Sequence, residues 1–232
     1  MSRRFQALLI QELRLQYRYG IYIAYTFVVV IYACVLILGS AHLSSALVAF
    51  IIYSDPSVLG FFFLGALMML EKAEGVRFAL SATPISAAEY FWAKALPLTL
   101  LGLIAVTLIA HLIHDHVRWF ILLGGVFLTA LAYLGIGVPI ALHFRTVTGY
   151  LIGSSGFLLP IVLPSFLAFL DPMPVWAMLL PTAAQFRLIM VGVGAHSNSS
   201  GALVLMFLIC AMTASLTIYL GIRKLEREFG RK

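Results

Sequence analysis

Residues 71–94 read EKAEGVRFALSATPISAAEYFWAK and form the longest charged interruption in a chain that is otherwise mostly apolar. The first part, Ala73 to Ala82, predicts a short helix, and Pro84 ends it because proline disfavours helix in the residue before it. The second part begins at Ser86 with Glu89 three residues later, a capping box that starts a new helix. We therefore predict a short cytosolic helix on the membrane surface and a spanning helix that rises from Ser86.

The composition places this chain among polytopic membrane proteins. Hydrophobic residues make up 62% of it, charged residues only 10%, and the mean hydropathy is +1.05. So few charges could not cover the surface of a soluble domain of 232 residues. The net charge of +6 would favour a nucleic-acid partner in a soluble protein, but here it follows from basic loops, and no nucleic acid is expected. Cys34 and Cys210 lie in apolar runs and are interpreted as packing residues.

The N-terminal residues 1–19 predict an amphipathic helix at the membrane interface. Phe5, Leu8, Leu9 and Leu13 share one face, and the arginines lie largely off it. Such a helix directs its apolar face toward acyl chains and its arginines toward anionic headgroups. No apolar core followed by a small-residue cleavage site is present, so we expect no cleavable signal.

Six apolar stretches are near or above the ~20 residues needed to cross a bilayer. They are Gly20–Gly39, Ser44–Leu70, Lys94–Ile113, Trp119–Leu142, Gly149–Leu170 and Gly201–Ile222. The predicted fold is an all-α membrane protein with one transmembrane domain, residues 1–232. Its parts are the interfacial helix 1–19, spans 1 and 2 in 20–70, the charged segment 71–93, spans 3 to 5 in 94–170, an outer segment 171–200, span 6 in 201–222, and a basic tail 223–232.

The basic residues orient these spans. With the N-terminus in the cytosol, 13 of the 15 lysines and arginines fall in cytosolic segments, and only Arg118 and Arg187 lie outside. This asymmetry favours six spans with both termini in the cytosol. An odd number of spans would remove it.

The fifth span and the outer segment after it are broken by prolines. Pro160 and Pro164 predict a kink in the outer half of the span. Residues 175–195 are apolar but interrupted at Pro181, and Thr182 with Gln185 forms a second capping-box pattern. A seventh span would place Arg187 within the membrane, so we predict two short helices that re-enter the outer leaflet.

Asp55 is the acidic residue that lies well inside a predicted span, and two interpretations are open. Next to Pro56 it could cap a helix, with proline in the first helical position, which would make the second span a broken helix. Alternatively it marks a polar pathway or pairs with a cation, as intramembrane carboxylates do by default. Both interpretations direct Asp55 toward the protein interior.

Two other groups of residues have patterns that occur in metal sites or catalytic sites. His111, His114, Asp115 and His116 cluster at the outer end of the third span, but they lack a closed ligand set, and no metal is expected. Gly153-Ser154-Ser155-Gly156 resembles the nucleophile motif of rhomboid intramembrane proteases, with Ser155 as nucleophile. That alternative needs a histidine within hydrogen-bond reach, and small residues in a span more often pack helices together.

The charged segment also carries a family resemblance. Glu71, Lys72, Glu74 and Gly75, then the Thr83-Pro84-Ile85-Ser86 turn, then Glu89, Tyr90 and Lys94 resemble the segment after the second span in type 2 ATP-binding-cassette exporter permeases. The layout of interfacial helix, six spans and re-entrant pair is also similar to that family. Val76 and the Arg77-Phe78 pair depart from the family pattern.

The resemblance implies that the segment is a coupling helix. The residues it assigns to contact with an ATPase are Glu71, Glu74, Gly75, Arg77, Leu80, Thr83, Pro84, Ser86 and Glu89. The implied partners are a cytosolic ATP-binding-cassette subunit, a second permease copy or a paralogous permease, and membrane lipid. ATP and magnesium would bind the partner, since this chain lacks a phosphate-binding GxxxxGK[ST] loop and needs no cofactor of its own. The implied location is the prokaryotic plasma membrane.

The expected cargo is apolar or amphipathic, either a drug or a lipid. Aromatic side chains line the spans, and the tentative pathway residues are Asp55, Phe62, Phe157 and Phe166, because small-molecule sites have mostly apolar walls. The alternatives to an exporter subunit, which would not itself be an enzyme, are a rhomboid-like serine protease and a membrane scaffold without transport activity.

Overall fold

The computed structural model describes residues 3–39, 44–76, 85–113 and 117–230. These residues form helices and their connections, without a strand among them. The helices are α1 (Arg3–Arg18), α2 (Ile21–Gly39), α3 (Ser45–Val58), α4 (Leu64–Ala73), α5 (Ala87–Ile113), α6 (Trp119–Ala141), α7 (Val147–Val162), α8 (Val175–Met178), α9 (Pro181–Gly192) and α10 (Ser200–Glu228). A π-helical turn, Leu59–Phe63, joins α3 to α4, and a 3₁₀ helix, Leu163–Phe169, follows α7.

Five helical segments are long and apolar enough to cross a membrane. They are residues 21–39, 87–111, 119–141, 147–169 and 200–228. The predicted second span has a different form, because the π-helical turn divides it into α3 and α4. The helical conformation nevertheless continues without a break from Ser45 to Ala73.

Helix α6 lies at the centre of the structure. It packs against α3, α4, α5, α9 and α10. Its closest approach to α10 is at Gly135, where an added Cβ atom would lie 2.5 Å from the backbone carbon of Thr217. Glycine is required there because a side chain would push the two backbones apart. Helices α2, α7 and α10 expose most of their apolar side chains, as expected for helices that face lipid.

The charged segment begins differently from the prediction. The predicted helix Ala73–Ala82 is wrong at its start, because α4 ends at Ala73 and Gly75 has a φ of +72°, a left-handed conformation that a helix does not continue through. Val76 is helical again, and the rest of the predicted helix, residues 77–82, lies outside the described residues.

The capping box at the other end is confirmed. The backbone N–H of Glu89 donates to Ser86 Oγ at 3.1 Å, and the N–H of Ser86 donates to Glu89 Oε2 at 2.9 Å. Helix α5 therefore starts at Ala87, one helical turn and more before the predicted span at Lys94. At the other end of the chain, residues 223–228 of the predicted basic tail are helical and extend α10.

The fifth span is irregular where its prolines predict it. Pro160 lies inside α7. Pro164 lies in the first turn of the 3₁₀ helix, which takes the place of α-helix in the outer half. Two short helices, α8 and α9, follow as expected. The second capping box is wrong: α9 begins at Pro181, its N-cap is Leu180, and no side chain caps it. Proline lacks the N–H that a cap would satisfy and has a helical φ, so it starts the helix one residue before Thr182.

Candidate functional site

A buried ion-pair cluster lies next to the charged segment, centred on Lys94 in the second turn of α5. Its Nζ lies 2.6 Å from Glu12 Oε1 of α1 and is also paired with Glu71 Oε1 of α4. The Lys94 side chain is 0% exposed. The three charges thus join three helices that are distant in sequence, in a place from which water is excluded. We call Glu12, Glu71, Tyr90 and Lys94 the Lys94 cluster.

Tyr90 completes this cluster from the preceding turn of α5. Its hydroxyl donates to Glu71 Oε2 at 2.5 Å, so both oxygens of Glu71 are hydrogen-bonded. The Lys94 Nζ also lies 4.6 Å from the centre of the Tyr90 ring, within range of a cation–π interaction. The Tyr90 ring also contacts the ring of Phe229, the residue after α10, edge-on with ring centres 5.5 Å apart. The C-terminal end of the chain therefore packs on the same cluster.

The cluster holds two carboxylates for one ammonium, and this imbalance affects Glu12. Burial raises the pKa of the Glu12 carboxyl from 4.5 to about 7; Lys94 opposes this rise and Glu71 adds to it. Among the described residues Glu12 Oε2 has no hydrogen-bond partner, whereas Oε1 is held by Lys94. Burial in the cluster therefore favours the protonated form of Glu12 more than water does.

The face of α1 that meets the protein is more polar than its sequence pattern indicates. Leu8, predicted to face acyl chains, is buried there, and Glu12 and Gln16 are buried beside it at intervals of one turn. The hydroxyl of Tyr22 in α2 donates to Gln16 Oε1 at 3.0 Å. Leu13, predicted on the apolar face, is 41% exposed. Helix α1 is therefore held to α5 by charge and to α2 by a hydrogen bond, in addition to apolar contact.

The predicted ATPase-contact residues fall into three groups. Glu71 is only 1% exposed and points into the Lys94 cluster, where it contacts Lys94 and Tyr90. Glu74, Gly75 and Ser86 are exposed, and Glu89 is half-buried in the capping box. The others lie outside the described residues: Arg77, Leu80, Thr83 and Pro84.

Sequence reasoning did not assign Glu12, Tyr90 or Lys94 to a site. A signal was present, because a lysine in the first turns of an apolar helix needs an acidic partner when it is buried. Several acids lie on the same predicted side of the membrane, among them Glu12, Glu71, Glu74 and Glu89. Which of them meets Lys94 depends on how the three helices pack.

Asp55 lies inside α3 and does not cap a helix, so that interpretation is wrong. Its carboxylate accepts a hydrogen bond from the hydroxyl of Tyr25 in α2, and it is 1% exposed. The irregularity that Pro56 predicted falls a few residues later, in the π-helical turn. The carbonyl oxygen of Phe61 in that turn accepts from the hydroxyl of Tyr150 in α7, which satisfies one of the backbone groups that the turn frees.

Of the four predicted pathway residues, the structure brings two into one groove. An open apolar groove of about 310 Å³ is formed by the π-helical turn and α7 with its 3₁₀ extension, and Phe62 and Phe166 line it with Ser155. Phe157 lies apart and packs against His143 and Phe144. Asp55 is also absent from the groove lining and faces Tyr25 instead.

Arg187 of α9 is held inside the protein. Its side chain is 1% exposed; Nη1 donates to the carbonyl of Ala168 at 2.9 Å and Nε donates to Asn198 Oδ1 at 2.8 Å. Nη2 reaches Asp171 at 3.3 Å, and His196 lies 3.2 Å from the other oxygen of that carboxylate. These contacts tie the end of the 3₁₀ helix to the loop before α10.

The described residues offer no serine-protease arrangement and no group of metal ligands. The hydroxyl of Ser155 donates to the carbonyl of Leu151 within its own helix at 3.2 Å. The nearest candidates for a base are engaged elsewhere, His196 with Asp171 and His143 with aromatic rings. Over the described ranges no three potential ligands converge, and His114, Asp115 and His116 lie outside them.

Comparison with known proteins identifies the family. The model of the fluoroquinolones export permease protein family matches residues 3–224. Two curated relatives, the fluoroquinolones export permease proteins of two Mycobacterium tuberculosis strains, are each 28% identical over 144 residues. That alignment covers 62% of this chain and 61% of each relative. The chain therefore belongs to the fluoroquinolones export permease family, which confirms the predicted resemblance to a type 2 exporter permease and gives the rhomboid alternative no support.

Proposed function

We propose that this family member is the membrane subunit of an ATP-binding-cassette exporter whose ATP is hydrolysed, with magnesium, on a separate partner chain. The observation that carries the proposal is the Lys94 cluster, which joins α1, α4 and α5 around the charged segment. Glu71 is the first residue of that segment and Lys94 the last. Since their side chains are buried and paired, the two helix ends cannot move independently without exposing an unpaired charge.

This arrangement supports a mechanical role for the charged segment. A partner ATPase that docks on residues 74–86 would push on a segment whose flanking helices, α4 and α5, are both fixed to the same buried cluster. The push would reach α4 through Glu71, α5 through Lys94 and α1 through Glu12. Rigid-body motion of packed helices is a common way to change which side of a protein is open. We therefore assign the coupling function to the segment and the transmission of motion to the cluster.

We further propose six spans with both termini in the cytosol of a prokaryotic cell. The helical run from Ser45 to Ala73, the predicted second span, is long enough to add one span to the five. An α-helix rises 1.5 Å per residue, and about 20 residues cross a bilayer. The concentration of lysine and arginine in the predicted cytosolic segments supports this orientation. A second permease copy, identical or paralogous, would complete the pathway beside the exposed faces of the spans.

The proposed cargo is an amphipathic antibacterial drug of the fluoroquinolone class. The names of the curated relatives favour a drug over a lipid. The groove lined by Phe62, Phe166 and Ser155 supports the same choice, because it combines aromatic walls with a hydroxyl at the surface of the chain. The carboxylate of Asp55 is not part of that groove, so no ion pair with the cargo is assigned to it.

Transport by inside-out membrane vesicles tests the proposal. The vesicles contain the permease together with the ATP-binding-cassette subunit that copurifies with it, and the intrinsic fluorescence of a fluoroquinolone reports its uptake. We expect ATP-dependent uptake that is lost when the ATPase carries an inactivating substitution and when the permease is absent. Equal uptake with and without the permease, or the absence of any copurifying ATPase, would overturn the proposal.

A further inference from the structure

A second cavity, separate from the groove, lies where α6, the kinked end of α7, the start of α9 and the middle of α10 meet. Its volume is about 280 Å³, and its wall includes Tyr133, Pro160, Pro164, Pro181, Gln185 and Thr213. Most of this wall is apolar. The described residues that line it include no acidic, basic or histidine side chain.

One polar atom in this wall lacks a partner. Gln185 is 1% exposed, and its Oε1 atom makes no hydrogen bond to the described residues. A buried amide oxygen without a donor is destabilising. Since the sequence Thr182–Gln185 does not form a capping box, the Gln185 amide is not used at the start of its own helix. This acceptor without a donor thus belongs to a residue that lines the cavity, where a bound molecule could supply the donor.

The start of α9 adds a donor to the same wall. The first backbone bond of this helix runs from the N–H of Ala184 to the carbonyl of Leu180 at 2.9 Å. Thr182, which lines the cavity, precedes that bond, and no side chain caps the helix. Unpaired N–H groups at a helix start are donors that a ligand can satisfy. The cavity thus has an acceptor and a donor one helical turn apart and apolar surface elsewhere.

We propose that this cavity binds an uncharged, mostly apolar molecule with a hydroxyl group, which donates to Gln185 Oε1 and accepts from the first turn of α9. A hydroxyl is the smallest group that does both. A cavity of ~150 Å³ holds one benzene molecule, so a cavity of about 280 Å³ suits an alcohol of roughly ten heavy atoms. A charged or zwitterionic drug does not fit this description, since no counter-charge lines the wall. The inference therefore does not depend on the proposed export activity.

Photolabelling of the full chain in lipid nanodiscs tests the inference. The probes are an octanol that carries a diazirine and the matching diazirine-bearing octane. We expect the alcohol to label peptides that contain Tyr133 or Thr182, and excess 1-octanol but not octane to displace it. Octane labelling that matches alcohol labelling would show that the cavity takes only lipid chains. Absence of displaceable labelling would show that it takes only water. Either result overturns the proposal.

Two substitutions sharpen this test. Gln185→Met removes the acceptor with little change in volume, so we expect alcohol binding to weaken about fivefold to tenfold, the usual effect of one lost hydrogen bond, while octane labelling stays the same. Gln11→Met, on the exposed side of α1, is the matched control and should change neither. Should Gln185→Met fail to fold, the preference of the unsubstituted chain for alcohol over octane still decides the question.

Discussion

The ammonium group of Lys94 lies 2.6 Å from Glu12 Oε1, although 82 residues separate them in the chain. The same ammonium group also pairs with Glu71, so carboxyl groups from two helices share one cation. Removal of one partner from a buried ion pair leaves an uncompensated charge, which makes such clusters sensitive to single substitutions. The stability of this region and its proposed transmission of motion therefore depend on the same few side chains.

Substitution of the central cation should be the most damaging of these changes. Lys94→Met leaves two carboxyl groups buried without a counter-ion, and we expect a loss of about 3–5 kcal/mol of stability. Thermal unfolding of the purified chain in detergent measures it. Lys72→Met, an exposed lysine of α4, is the control and should unfold near the temperature of the unsubstituted chain. Equal unfolding temperatures for the two variants would contradict the role of the cluster.

The protonation of Glu12 should make stability depend on pH. Its folded-state pKa is raised from 4.5 to about 7, so the folded chain binds more protons than the unfolded chain between these values, and stability falls as pH rises through this window. We expect the unfolding temperature to be lower at pH 8.5 than at pH 5.5. Glu12→Gln should reduce this decline, whereas Glu74→Gln, at an exposed position, should leave it in place. A decline of the same size in both variants would exclude Glu12 as its source.

The contact between α6 and α10 predicts a contrast between two glycines. In Gly135→Ala the new methyl group would lie 2.5 Å from the backbone of Thr217, so the helices must separate, and we expect a loss of about 1–3 kcal/mol. In Gly156→Ala no atom lies within 4 Å of the new methyl group. The higher helix propensity of alanine should leave that variant unchanged or up to ~1 kcal/mol more stable. Thermal unfolding measures both, and a reversed order would show that α6 and α10 do not approach at Gly135.

The hydrogen bond between Tyr25 and Asp55 predicts coupled effects. Tyr25→Phe removes the donor, and Asp55→Leu removes the acceptor, so each leaves one buried polar group without its partner. In the double variant neither partner remains, and we expect a coupling free energy of about 0.5–3 kcal/mol between the two positions. Unfolding of the four chains gives this value. Simple additivity would mean that the hydroxyl and the carboxylate do not interact.

The proposed orientation predicts from which side of the membrane an impermeant reagent can reach the charged segment. Glu74 is exposed, so Glu74→Cys in a chain that also carries Cys34→Ser should react with a membrane-impermeant maleimide. We expect reaction in inside-out vesicles and protection in intact cells. Binding of the ATPase subunit should slow the reaction. Modification in intact cells would place residues 74–86 outside the cell and would remove the basis for the proposed coupling.

Several features of the structure could be read from local patterns. The apolar runs predicted helices in the right places, Ser86 with Glu89 predicted the start of α5, and the prolines predicted the irregular fifth span. These features depend on residues a few positions apart, so they need only the local backbone conformation and no contact between distant parts of the chain. The second capping pattern failed for an equally local reason, because Pro181 starts the helix before Thr182 can cap it.

The candidate site could not be assembled in this way. Glu71 was assigned to an exposed contact with an ATPase, but the packing of α1, α4 and α5 buries it against Lys94. Asp55 has a good local sequence for a helix cap, yet its position in the interior places it within reach of Tyr25. For Asp55 the capping preference is worth about 1 kcal/mol, and the cost of burying an unpaired charge is larger.

The sequence by itself determined the class of this protein, because a chain with 62% hydrophobic residues and this spacing of charges has few ways to hide its backbone in a membrane other than helices. The tertiary structure decided which charges meet. Helix packing brings Glu12 and Glu71 to one lysine, and it places Arg187 against the carbonyl of Ala168. Water is excluded from these places, so each charge needs a partner there, and only the three-dimensional arrangement of the helices determines which partner is within reach.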